Sequence, residues 1–196
     1  NAICSADILQ KDKEQMISVL NKWKTRQDSA KPLMIFINVS GGGLRSSAFT
    51  MHAMQKLDSM LHGKLMKKTF LISGASGGML AATYYRELYR RKIHGASIHL
   101  SSPQYLNNIT GDLLNSVFSS MMARDLMASS LKFSVGNNKY IKDRGYAFEK
   151  KLSENTNDIL NVQLKNIQKD EADATVPLLL FNAVVKKKKK KMILST

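Results

Sequence analysis

A chain of 196 residues is long enough to bury one real hydrophobic core. Its 43% hydrophobic and 23% charged residues are ordinary for a soluble globular protein, and its longest apolar runs, such as Val176 to Val185, fall short of the ~20 residues needed to cross a bilayer. The single cysteine, Cys4, excludes an internal disulfide and a cysteine-based metal cluster, and the net charge of +15 falls to +9 (24 basic against 15 acidic residues) once the unbroken block Lys186–Lys191 is set aside.

Residues 1–30 are expected to form an N-terminal helical segment, polar overall, in which Met16, Val19, Leu20 and Trp23 make one apolar stripe that packs on the core, with a membrane-lying helix as the alternative. Pro32 then introduces Leu33-Met34-Ile35-Phe36-Ile37-Asn38-Val39, a nearly continuous apolar run that suits a strand buried on both faces. From Leu44 to Leu61 the period becomes helical, with Phe49, Ala53, Met54, Leu57, Met60 and Leu61 on one face, and Gly63 stops the helix. Thr69 to Ser73 reads as the next strand. Strand, helix and strand in this length make a βαβ unit, whose parallel strands bring the loops after Val39 and Ser73 to the same sheet edge. Open α/β sheets build their sites at that edge.

Met79 to Lys92 is expected to continue as a helix, its basic end (Arg86, Arg90, Arg91, Lys92) matching the negative pole of the helix dipole. The Met-rich stretch from Leu106 to Met127 reads either as a buried core helix or as a flexible wall for an acyl chain, since unbranched Met adapts to varied shapes. Asp143-Arg144-Gly145-Tyr146 precedes another helix. Thr175 to Val185 is expected to be a strand, paired across the lysine block with Met192-Ile193-Leu194; a six-lysine tip repels itself and is assigned no function. There is no internal repeat. The sequons at Asn38 and Asn108 are treated as chance occurrences, the first lying inside the proposed site.

Gly74-Ala75-Ser76-Gly77-Gly78 fits G-x-S-x-G between a strand and a helix, the setting in which a tight turn lifts a serine hydroxyl above the sheet. A plain strand-to-helix glycine turn is the competing reading. The second motif shifts the balance: Gly41-Gly42-Gly43, followed by Arg45, sits at the corresponding end of the preceding strand. Glycines allow close backbone approach and turn successive N–H groups toward one point. The tetrahedral intermediate of an acyl ester needs such donors, together with the N–H of the residue after the nucleophile, here Gly77. A phosphate cradle would call for the lysine and hydroxyl of G-x-x-x-x-G-K-[ST], and neither that pattern nor G-x-G-x-x-G occurs. No histidine stands out as a base. His52 and His62 lie on or just after the crossover helix, and His94 and His99 follow the nucleophile helix too closely for an α/β-hydrolase triad.

Ser40-Gly41-Gly42-Gly43-Leu44-Arg45 and Gly74-Ala75-Ser76-Gly77-Gly78 resemble the paired signatures of patatin-like phospholipases, the first also resembling the glycine loop of cytosolic phospholipases. The resemblance implies an α/β fold of patatin-like three-layer type, a mainly parallel sheet with helices on both faces, spanning 31–196. It implies a Ser-Asp dyad without histidine, in which Ser76 attacks the ester, Gly41, Gly42, Gly43 and Gly77 form the oxyanion hole, and Gly74 and Gly78 support the turn. Arg45 would steady the glycine loop or a phosphate group. No cofactor and no metal are implied. The expected partners are a phospholipid or other acyl-ester lipid and a membrane surface, with a larger membrane-associated polypeptide or complex as a further context, and nucleic acid is not expected.

The sequence departs from the family where Ser40 and Ser46 stand in place of the usual Asp and Gly. It also has no Asp-Gly-Gly or Asp-Ala-Gly loop, so Asp112, Asp125 and Asp143 are not assigned as the dyad acid. Asp143-Arg144-Gly145-Tyr146 and Pro177 to Ala183 resemble segments that precede that loop in bacterial patatin-like proteins. With Asn1 in place of an initiator Met, the chain reads as a fragment, incomplete at its C-terminal end and inactive alone. The alternatives are a catalytically silent scaffold domain in a membrane-associated assembly and an acyltransferase sharing the nucleophile. The expected location is peripheral or anchored by a segment outside these residues, on the cytoplasmic side.

Overall fold

The computed structural model describes residues 5–122, 131–185 and 190–196, which fall into two compact units, 1–101 with 162–196 and 102–161. The first unit is α/β. It holds helix α1 (Ala6–Thr25), strand β1 (Ile35–Val39), helices α2 (Gly43–Met60) and α3 (Leu65–Lys68), strand β2 (Thr69–Gly74) and helix α4 (Ser76–Ile93). The second unit contains helices α5 (Pro103–Ile109) and α6 (Leu114–Ser120), an antiparallel pair of strands β3 (Lys132–Val135) and β4 (Asn138–Ile141), and helix α7 (Arg144–Asn155). The chain then returns to the first unit with helix α8 (Gln168–Ala172) and strands β5 (Leu178–Val185) and β6 (Lys190–Leu194).

The sheet has the order β1-β2-β5-β6. β1 pairs parallel with β2, Val39 opposite Gly74, and β2 pairs parallel with β5, Gly74 opposite Phe181. β6 closes the sheet antiparallel to β5, as the flanking runs of the lysine block predict; residues 186–189 of that block lie outside the described residues. The expected βαβ unit is therefore present, and the chain leaves β1 and β2 at one edge. No described helix is long and apolar enough to cross a membrane.

The expected burial patterns of β1, α2 and the Met-rich stretch are corrected. β1 has only β2 beside it among the described strands, so it is an edge strand with Phe36 61% exposed, rather than a strand covered on both faces. On α2 the buried stripe is Ser47, Thr50, Met51, Met54 and Asp58, spaced i, i+3, i+4, i+7 and i+11. Of the expected apolar face, Met54 is buried, Ala53 and Leu61 are half-buried, and Phe49, Leu57 and Met60 face solvent. Polar side chains with backbone partners set the inward face: Ser47 Oγ donates to Gly77 O, and Asp58 Oδ1 accepts from the Leu65 amide. The Met-rich stretch is not one helix, because Gly111 and Asp112 interrupt it and Asp112 Oδ1 takes the Leu114 and Asn115 amides. Ile109 and Leu113 are buried while Leu114, Phe118 and Met122 stay exposed; the rest of the stretch, 123–127, lies outside the described residues.

α1 docks through Trp23, which meets Phe70 edge-to-face at 6.2 Å and packs with Ala174, Val19 and Met34. Met16 and Leu20 of the expected stripe remain exposed. α4 is buried almost all round, so its charged residues need partners. Arg86 Nη2 lies 2.6 Å from Glu171 Oε1 and its Nε donates to Pro177 O, which ties α4 to α8 and the start of β5; Thr196 Oγ1 donates to the other Glu171 oxygen. Burial pushes the Glu171 carboxyl up and the Arg86 guanidinium down, each opposed by the other's charge. Arg86 is thus a buried tie rather than part of the dipole-matching basic end, a role left to Arg90, Arg91 and Lys92.

Replacing Glu171 with Ala strands a buried guanidinium and should cost about 3–5 kcal/mol. The joint replacement Arg86→Met with Glu171→Leu should cost far less. Denaturant titration followed by the fluorescence of Trp23, the one tryptophan, measures both; equal losses would contradict this account of the pair.

Candidate active site

The sequence-predicted residues meet at the edge where β1 and β2 end. Ser40 and Gly41 follow β1, and Gly42 is the N-cap of α2 with φ +143°, a conformation open to glycine alone. Gly43 opens α2 at φ +60°. One strand over, Gly74 ends β2, Ala75 is the N-cap of α4, and Ser76 is its first residue. Ser76 has φ +55°, which costs a residue bearing a Cβ about 1–2 kcal/mol. The elbow therefore holds a strained, solvent-exposed serine.

The two motifs touch. A Cβ placed on Gly41 would stand 3.2 Å from Ser76 Cβ and 3.7 Å from its Oγ, so the glycine loop lies directly against the serine side chain. The same closeness explains the other glycines. A Cβ on Gly77 would overlap Gly43 O and come 2.9 Å from Ser47 Oγ; one on Gly78 would overlap Ser40 O; one on Gly74 would overlap Val39 O.

Three side chains that sequence reading did not assign hold this arrangement. Ser46 Oγ donates to Ser40 O at 2.7 Å, closing the glycine loop onto α2. Ser47 Oγ donates to Gly77 O at 2.8 Å, with Gly43 O a longer second acceptor at 3.3 Å, and so joins the first turns of α2 and α4. Asn182 on β5 donates from Nδ2 to Ser73 Oγ at 3.1 Å and to Gly74 O at 3.4 Å, bracing the strand just before the elbow. The signal for the two serines was available: both follow Arg45 in the first turn of α2, where short hydroxyl side chains bond nearby carbonyls. Asn182 lies 106 residues after Ser76 in sequence and only the β2–β5 register reveals it.

Arg45 is exposed in the first turn of α2 and makes no hydrogen bond or ion pair among the described residues. No side chain caps α2 or α4 at the N-terminus, and neither has an acidic residue in its first turn. Two helix ends with unpaired amides, plus a guanidinium that adds to the positive pole of α2, make a setting that favours an incoming or developing negative charge.

The general base is a different matter. Among the described residues, no hydrogen bond joins Ser76 Oγ to a carboxylate or imidazole. Asp58 serves the Leu65 amide, while Glu87 and Asp170 hold Arg90. Arg90 is 14 residues beyond Ser76 on α4, or about 21 Å at ~1.5 Å per residue. His94 pairs with Asp170 at 3.1 Å near that same far end, and His52, His62 and His99 are exposed. In the second unit, Asp112 and Asp143 each accept from amides of the helix that follows them. Asp125 lies outside the described residues.

No protein-family model, curated protein or solved structure matches the chain.

The close approach at the elbow generates a quantitative expectation. Gly77→Ala forces backbone to move and should cost about 3 kcal/mol. Gly63→Ala, at φ +76° with open space around it, should cost about 1 kcal/mol from strain alone. Similar losses for the two variants in denaturant titration would show that the loops are not in the contact described.

Proposed function

We propose that this chain carries the nucleophile and oxyanion hole of a lipid acyl hydrolase of the patatin-like phospholipase type. The observation that carries the reading is the strained, exposed Ser76 held against Gly41 between two uncapped helix N-termini. In the proposed reaction the Ser76 hydroxyl attacks the carbonyl carbon of an acyl ester. Amides of Gly42, Gly43 and Gly77 receive the negative oxygen of the tetrahedral intermediate. Collapse of that intermediate expels the alcohol, and water then releases the fatty acid from the acyl-serine. A base must take the serine proton, and on this reading a carboxylate from outside the described residues supplies it.

Supporting features extend to the surface. Phe49, 76% exposed, lies six residues into α2 from Gly43, about 9 Å along the axis, and offers an apolar contact for an acyl chain or a bilayer. Arg45 offers a charge to the ester's phosphate. We take the patatin-like three-layer fold, the membrane surface and the phospholipid substrate as parts of this same proposal. The competing reading is a catalytically silent patatin-like scaffold, favoured by the lack of any hydrogen-bonded base at Ser76 among the described residues.

In the complete natural polypeptide, Ser76→Ala should reduce fatty-acid release from phospholipid vesicles by at least about 10³-fold, as expected for loss of a covalent nucleophile, and leave the fold intact. Activity unchanged in that variant would remove the hydrolase reading. A wild-type polypeptide that releases no fatty acid from any acyl-ester lipid would favour the scaffold.

A further inference from the structure

We propose that the groove between α6 and α7, in the second unit, binds a phosphomonoester group. The groove has a volume of about 420 Å³, within the range of organic-ligand pockets. α6 packs against α7, and a contact between two short helices is ordinarily apolar. Here α6 presents Ser116, Ser119 and Ser120, spaced i, i+3, i+4, so that three hydroxyls share one face. α7 and the residues before it present Lys142, Lys150 and Lys151, with small Ala147 leaving space between them.

Two features point to a ligand rather than to a merely solvated surface. Ser120 is only 5% exposed, lines the groove, and its Oγ has no hydrogen-bond partner among the described residues. A buried hydroxyl left in that state bears its full desolvation cost, which an acceptor oxygen entering the groove would remove. The charge balance is the second feature. Three ammonium groups against the single carboxylate of Glu154 leave a surplus of two positive charges in the lining, the complement of a phosphomonoester dianion. Glu154 does not neutralise its neighbours firmly: it stands 3.8 Å from Lys150 Nζ and 3.6 Å from Lys151 Nζ, and it is half-exposed. Lys142 is held over the Tyr146 ring at 5.7 Å, and Tyr146 in turn packs on Phe133 at 4.6 Å, so one cation is pre-positioned. The inference does not depend on Ser76 being catalytic.

The same phosphate chemistry is offered by a soluble phosphomonoester and by a lipid headgroup, and two arms of one experiment separate them. The full chain is titrated at constant ionic strength with glycerol 3-phosphate, and in parallel with phosphatidylcholine vesicles containing either phosphatidic acid or the phosphodiester lipid phosphatidylglycerol. Saturable binding is expected in at least one arm, with phosphatidic acid preferred over phosphatidylglycerol in the second. Ser120→Ala should weaken binding about tenfold and, without ligand, leave thermal stability equal or higher. Ser116→Ala should weaken it several-fold, and Lys142→Met with Lys151→Met about a hundredfold. No saturable binding in either arm overturns the proposal. So does binding that the lysine replacements weaken but both serine replacements leave unchanged, since that is the behaviour of a cationic surface without a built site.

Discussion

The first unit depends on the absence of side chains at one seam. Where β1 and β2 end, the chain turns twice into helices whose first turns lie so close that carbonyl oxygens of Val39, Ser40 and Gly43 occupy the places where Cβ atoms of Gly74, Gly78 and Gly77 would stand. Everything else at this edge follows from that contact. It presses Ser76 into positive φ, sets Gly41 against its side chain, and brings two helix N-termini to one place without capping either. Ser47 then secures the contact with a hydrogen bond across it, and Ser46 closes the loop on the other side. The strain stored at Ser76 is small beside the packing that enforces it, because α4 is buried along nearly its whole length.

The main strands and long helices of this unit were legible in the residues to within a few positions, whereas the short helices α3 and α8 were not. The change from a run of apolar residues to a 3.6-residue period marked β1 and α2, and the glycine clusters marked both turns. The βαβ pairing and the β5–β6 hairpin followed from element order and from the short connection. The faces were less legible. Hydrophobic periodicity rightly placed Met54 inward on α2 but also pointed to Phe49, Leu57 and Met60, whereas Ser47 and Asp58 lie inward because each has a backbone partner there. Periodicity counts apolar residues and cannot see that a buried hydroxyl is satisfied. The edge position of β1 was likewise hidden, since strand order is a property of the whole sheet. The site motifs were legible because they are local; Asn182, contributed across the β2–β5 pairing, was not.

Charge is distributed along α4 with a clear logic. Its first turn carries no acid, and its second half carries Arg86, Arg90, Arg91 and Lys92 against Glu87 of the same helix and Asp170 and Glu171 of α8. The N-terminal end is thus left with unopposed amide dipoles, while the C-terminal end is neutralised by a paired network that also ties in α8 and β5. The uncapped N-termini of α2 and α4 leave amide donors for an anion at the Ser76 edge. The overall basic balance resolves in part into residues already committed to ion pairs.

The central proposal is geometric: that Ser76 Oγ and the amides of residues 42, 43 and 77 converge on one carbonyl-sized point. An experimental structure of the complete natural polypeptide treated with a fluorophosphonate tests it most directly. The account predicts a phosphonyl group on Ser76 Oγ with its oxygen about 2.7–3.1 Å from the Gly77 amide and from at least one of the glycine-loop amides. A protein that stays unlabelled, a label on another residue, or a phosphonyl oxygen turned to solvent would contradict it.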